Sequence, residues 1–139
     1  MATYKILDLF AGVGGLSYGF AHLPEFRIVA ANEIEKDIAT AYKLNHPGVK
    51  MLNCDINDLT EEMLTEALGG EKIDIVVGGP PCQSYSTLGK RQMDDRANLF
   101  KEYKRILTIL HPRAFVFENV VGLLSMDKGR LYRQIQAEF

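Results

Sequence analysis

Five short apolar runs, each broken off by glycine, proline, asparagine or an acid, constrain this chain more than any other feature. They are Ile6-Leu7-Asp8-Leu9-Phe10, Arg27-Ile28-Val29-Ala30-Ala31, Val49-Lys50-Met51-Leu52, Ile73-Asp74-Ile75-Val76-Val77 and Ala114-Phe115-Val116-Phe117. Each has the length of a strand and is too short for a buried helix. Helical patterns lie between them: Leu16 to Ala21, and Glu35 to Asn45, where Ile38, Ala39, Ala41, Tyr42 and Leu44 gather toward one side. His46-Pro47-Gly48 stops the second. Thr60 offers an N-cap to a helix ended by Gly69-Gly70, with Met63 where a capping box has an acid. Asn98 offers a cap to a helix through Lys101, Ile106 and Leu110, which His111-Pro112 closes, and Leu131 to Phe139 reads as a last helix. Strands that are almost continuously apolar and alternate with helices predict an α/β fold, a mostly parallel sheet with helices on both faces. Ligands in such sheets bind beyond the carboxyl ends of the strands, so the residues after each run are the candidate site.

Composition narrows the class. At 139 residues, 47% hydrophobic and 24% charged, the chain is about one ordinary globular domain. No apolar run approaches the ~20 residues of a membrane span, and the first residues are not a signal peptide. Two cysteines, Cys54 and Cys82, make a disulfide framework improbable and predict a reducing, cytoplasmic setting. Net charge is −2, but unevenly spread: residues 1–82 carry 6 basic and 12 acidic residues, residues 83–139 carry 10 and 6. A chain of acidic total can still present a cationic face.

The strand ends differ in chemistry. Ala11-Gly12-Val13-Gly14-Gly15 follows the first run, and its glycines permit a tight turn with close backbone approach to a ligand. It is neither GxGxxG nor a Walker A loop, which speaks against dehydrogenases and nucleotide triphosphatases. Asn32-Glu33 follows the second run, about 20 residues past the glycines, where an acid commonly accepts from a ribose. Asn53-Cys54-Asp55-Ile56 follows the third, and Asp55 is placed to accept from an adenine amino group. Gly78-Gly79-Pro80-Pro81-Cys82-Gln83 follows the fourth, and its prolines fix the backbone before a cysteine flanked by polar residues. Cys54 has no such scaffold and reads as incidental. Glu118-Asn119-Val120 follows the fifth, so a carboxylate and Cys82 are expected in one crevice, as a nucleophile and an acid/base partner.

These residues, in this order, resemble the C5-cytosine DNA methyltransferase family. Asp8-Leu9-Phe10-Ala11-Gly12-Val13-Gly14-Gly15 resembles its S-adenosylmethionine-binding motif, Pro80-Pro81-Cys82-Gln83 its catalytic motif and Glu118-Asn119-Val120 its partner motif. The resemblance implies a Rossmann-like methyltransferase fold and S-adenosylmethionine as cofactor, with S-adenosylhomocysteine as product. It implies that Cys82 attacks C6 of a flipped cytosine in double-stranded DNA while Glu118 holds the N3 edge. Asp8, Phe10, Ala11, Gly12, Gly14, Gly15 and Pro80 would line the cofactor. Asn32 would also belong to the cofactor site, Glu33 would hold the ribose, and Ile34, Asp55 and Ile56 would meet the adenine. Ile34 stands where some relatives have an aromatic residue, so apolar contact replaces stacking there. Ser84, Tyr85 and Ser86 would begin a closing loop, and Lys90, Arg91 and Arg96 suit phosphate contact.

The family's later Gln-x-Arg-x-Arg motif, target recognition domain and closing C-terminal segment do not occur in these residues. The expectation is therefore an N-terminal portion of the catalytic domain, C-terminally incomplete, with a natural start at Met1 and doubtful activity alone. The alternatives are one subunit of a split methyltransferase, with a second polypeptide carrying the recognition domain, and a related tRNA cytosine-5 methyltransferase.

Overall fold

The structure is a computed structural model and describes residues 3–81 and 99–139. Cys82, the loop residues Ser84, Tyr85, Ser86, Lys90, Arg91 and Arg96, and the expected cap Asn98 lie outside the described residues.

The order along the chain is β1 (Tyr4–Leu9), α1 (Gly15–Ala21), β2 (Phe26–Asn32), α2 (Lys36–Asn45), β3 (Lys50–Leu52) and a 3₁₀ turn (Ile56–Asp58). Then come α3 (Glu61–Leu68), β4 (Ile75–Gly78), α4 (Leu99–Leu110), β5 (Ala114–Phe117), two further 3₁₀ turns and α5 (Arg130–Glu138). The five strands form one sheet in the order β3-β2-β1-β4-β5, and every pairing is parallel. Strand order reverses between β1 and β4, so the chain leaves the sheet in opposite directions there and opens a crevice. Gly78 lets these two strands close up, because a Cβ there would sit 2.6 Å from the Leu9 carbonyl oxygen.

The two-residue period of β1 sorts its side chains. Leu7 and Leu9 join Val29, Ile56, Leu59, Leu64, Ile73, Val76, Tyr103 and Ile106 in the main core, under α3 and α4. Ile6 joins Ile28 and Val77 on the opposite face, with Phe20 of α1 packed against them. Tyr42 of α2 packs on Ala11 and Ala31 beside it. Helices thus cover both faces, as the sequence predicts.

Three expectations change. Of the apolar residues expected on one side of α2, only Ala39 and Tyr42 are buried, and Ile38 and Leu44 face solvent. A helix resting on alanines sits close to the sheet and needs only a narrow stripe. β5 is not buried like its neighbour β4: Phe115 is 41% exposed and Val116 39%, because it is an edge strand with no strand beyond it among the described residues. Phe10 is not in β1; its φ of 52° starts the loop. Thr60 caps α3 as expected, its hydroxyl accepting from the Met63 N–H at 3.2 Å, and Gly69 ends it with φ 59°.

Candidate functional site

The described parts of all five expected segments emerge at the carboxyl edge of the sheet, a consequence of parallel pairing. Their side chains nevertheless divide into those that face outward and those that build the edge from beneath.

The glycine loop bends through left-handed backbone at Phe10, Gly12 (φ 57°) and Gly14 (φ 91°). Ala11 N–H donates to the Asn32 carbonyl at 3.0 Å and so fastens the loop to the end of β2. Gly12 N–H donates to Glu33 Oε2 at 2.8 Å, and Glu35 N–H donates to Glu33 Oε1 at 2.9 Å. Glu33 is thereby oriented by two backbone donors. Each of its oxygens keeps acceptor capacity, since an ionised carboxylate offers about four lone-pair sites. A Cβ at Gly12 or Gly15 would meet nothing within 4 Å, so bare backbone faces the open side of the loop. Ile34 is 57% exposed beside it.

Other expected ligand contacts point inward. Asp8 is 1% exposed and accepts from the hydroxyls of Ser17 and, at 3.3 Å, Tyr42. Burial pushes its carboxyl up to about 6, against the opposing pull of those hydrogen bonds. It braces α1 and α2 behind the loop and does not line the crevice, because it shares the α1 face with Ile6. Asn32 is buried and donates to the Leu52 and Cys54 carbonyls at 2.8 and 3.0 Å, which joins β2 to the end of β3. Ala11 and Ile56 are buried in core clusters. Gly14 is closed off beneath by the His46 ring, which a Cβ would overlap. Asp55 caps the 3₁₀ turn: its Oδ1 accepts from the backbone and side-chain N–H groups of Asn57 at 2.9 and 2.7 Å. Its Oδ2 has no partner among the described residues. Burial and the neighbouring Asp58 and Asp55 push the Cys54 thiol up, away from the thiolate a nucleophile needs.

At the other side of the crevice, β4 and β5 end side by side. Glu118 N–H donates to the Gly78 carbonyl at 2.9 Å, and the Glu118 carboxylate lies where a Cβ on Gly79 would be. Asn119 Nδ2 donates to the Pro80 carbonyl at 3.1 Å, and its Oδ1 accepts from Val120 N–H at 2.8 Å. Pro80 is buried, whereas Glu118 is exposed. The segment leading to Cys82 and the segment bearing Glu118 are thus tied by a side chain, and the Glu118 carboxylate, unpaired among the described residues, lies next to Gly79. The sheet edge pairs an acidic, backbone-lined half around Glu33 with a half carrying Glu118.

A family model described as C-5 cytosine-specific DNA methylase matches residues 4–139. The chain belongs to this family. Among curated members it is 45% identical over 123 residues to the type II methyltransferase M.NgoPII of Neisseria gonorrhoeae, covering 87% of this chain and 34% of that protein. It is 38% identical over 138 residues to M.AquIA of Picosynechococcus sp., covering 96% of this chain and 55% of that one. The crystal structure of a candidate DNA modification methyltransferase encoded within an E. coli prophage superposes with a TM-score of 0.82 at 29% identity, over 98% of this chain and 37% of that one. The chain spans about a third to about half of the length of the curated relatives it matches. The fold is the one these methylases share over that length. Among the described residues no helix is long and apolar enough to cross a membrane.

Several residues that shape this sheet edge carry no obvious sequence signal. Asn53 Nδ2 donates to the Glu33 and Ile34 carbonyls at 2.7 and 3.0 Å and holds the acid's turn. Ser17, Tyr42, Asn45 and His46 support the glycine loop from below. An asparagine or histidine at a helix end reads as a stop signal, so nothing in the spacing sets these apart.

Proposed function

We propose that this chain carries the cofactor site and catalytic residues of an enzyme that methylates C5 of cytosine in DNA. The observation that carries the reading is the tie between the β4 and β5 ends, where Asn119 holds the Pro80 carbonyl and Glu118 packs on Gly79. Glu33 would accept the ribose hydroxyls with its free lone pairs. Phe10, Gly12 and Gly15 would lie along the cofactor, and Ile34 and Asp55 would frame the adenine. Asp8, Ala11, Gly14, Asn32 and Ile56 would act by holding that surface in shape. S-adenosylmethionine, when bound, supplies an electrophilic methyl group.

The chemistry of this chain's own residues then follows. The Cys82 thiolate adds to C6 of the cytosine. Glu118 holds the proton that the ring takes up at N3, which offsets the negative charge driven into the ring. C5 becomes nucleophilic as a result. After transfer, loss of the C5 proton expels Cys82 and restores the ring. A stacked base hides these atoms, so the cytosine leaves the duplex first. Lys90, Arg91 and Arg96 follow the cysteine in sequence and would meet phosphates.

A chimera tests the reading: residues 4–139 replace the matched segment of M.NgoPII, and the protein is offered duplex DNA or tRNA containing 5-fluorocytosine. A denaturant-stable adduct with DNA is expected, lost in Cys82→Ser. Glu118→Gln is expected to lower kcat by about 10²–10⁴-fold. An adduct that survives Cys82→Ser refutes the nucleophile, and transfer to tRNA alone moves the substrate to RNA.

A further inference from the structure

We propose that His46, with Asn45 beside it, is a positioning residue for cofactor binding: the C-terminus of α2 grips two successive carbonyls of the glycine loop and sets the backbone that the cofactor meets. The inference rests on the reading of that loop as a cofactor site.

Three observations carry it. Asn45 Nδ2 donates to the Val13 carbonyl at 2.8 Å, and His46 Nε2 lies 2.9 Å from the Gly14 carbonyl. A carbonyl only accepts, so the hydrogen-bond network assigns the hydrogen to Nε2. The Gly14 oxygen also accepts from Tyr18 N–H at 2.9 Å, which starts α1, so one oxygen joins loop, helix and histidine. Secondly, the grip falls on Gly14, whose φ of 91° is the largest positive value in the described residues. The ring fills the space a side chain at that position would occupy. Thirdly, the ring is itself fixed. It is 4% exposed and stacked on Tyr42 with centroids 4.5 Å apart, and Tyr42 is anchored by its hydroxyl to Asp8 and Ser17. Behind the Gly14 peptide stands a relay of buried side chains: His46 bonds it, Tyr42 stacks on His46, and Asp8 and Ser17 hold the Tyr42 hydroxyl. His46 is buried and meets the loop at the Gly14 carbonyl, and Asn45 meets it at the Val13 carbonyl, so both act through the backbone of Val13 and Gly14.

The test is calorimetric titration of the 139-residue chain with S-adenosylmethionine and with S-adenosylhomocysteine, at a temperature where circular dichroism finds each variant folded. His46→Ala is expected to raise Kd about tenfold, the loss of one buried hydrogen bond. His46→Gln keeps an N–H donor at similar reach and is expected to bind within about threefold of the natural chain. His46→Phe keeps the stacking without the donor and is expected to bind as poorly as His46→Ala. Asn45→Ala is expected to weaken binding on its own and less than additively with His46→Ala, since both act on one loop. His46→Phe with natural affinity, or His46→Gln as weak as His46→Ala, overturns the proposal. Where His46→Ala does not fold, the Gln and Phe variants decide. A natural chain that binds neither compound overturns the cofactor reading itself, a result distinct from equal binding by all variants.

Discussion

A carboxyl group closed off from water, as Asp8 is, ties folding to pH in a direction opposite to that of a salt-bridged acid. Its ordinary pKa is 3.8, and burial raises it to about 6 in the fold. Between those values the folded chain binds more protons at this site than the unfolded one, so stability falls as pH rises. The stabilising contribution is full below about pH 4 and gone above about pH 6. Asp8→Asn removes the titration, so the difference in unfolding free energy between natural and variant chains is expected to change by on the order of 2–3 kcal/mol across that window. Urea denaturation at pH 4, 5, 6 and 7 measures it, and a pH-independent difference would exclude the buried carboxyl as the cause. At this scale the sequence is readable only in part. The spacing from the glycines points to Glu33, and the structure sets it against the Gly12 N–H. The motif points to Asp8 without telling that it is buried, because a motif does not say which sheet face a strand residue takes. His46 is invisible as a support, since its partner is a carbonyl 32 residues away.

Arg105 joins elements far apart in sequence. Its guanidinium donates from Nη1 to the Leu59 carbonyl and from Nη2 to the Ile56 carbonyl, both at 2.9 Å, and from Nε to Glu102 at 2.6 Å. α4 thereby holds the 3₁₀ turn that Asp55 caps. Arg105→Met keeps the stem and deletes these donors. It is expected to cost about 1–3 kcal/mol, from the lost hydrogen bonds and two carbonyls left without them. Hydrogen exchange should quicken at Asp58 and Leu59, whose N–H groups close that turn. Unchanged exchange there would mean the turn holds itself. Elements as such are legible: α3 has its cap and its stop, and β5 falls on the expected residues. The 3₁₀ turn is not, because a strand ending in an acid says nothing of the next backbone bend. The depth of α2 is also hidden, since the burial of Ile38 or Leu44 depends on how near the helix sits to the alanines beneath.

The whole sheet is buried in its middle and ends, among the described residues, in two edge strands, β3 and β5. Beyond β5 the strand edge is unpaired among the described residues, and Phe115, Val116, Val120, Val121, Leu124 and Phe139 leave apolar surface exposed nearby. Exposed apolar edges template association. The chain is expected to self-associate with rising concentration, and Val116→Lys to shift sedimentation velocity profiles toward the monomer. A natural chain monodisperse at high concentration would show the edge to be inert. Parallel pairing and two helical layers can be read from the apolar runs, but not the order β3-β2-β1-β4-β5, because each run is compatible with either neighbour. The bonds that shape the glycine loop also decide when in folding it takes shape. Its anchors on α2 lie 32 residues along the chain, so β1, the loop and α1 have their sequence early but lack the loop's geometry until α2 docks. On the proposed reading of the loop as a cofactor site, competence for the cofactor arrives with that docking, and a ligand that selects the finished loop would pull the docking equilibrium forward by mass action.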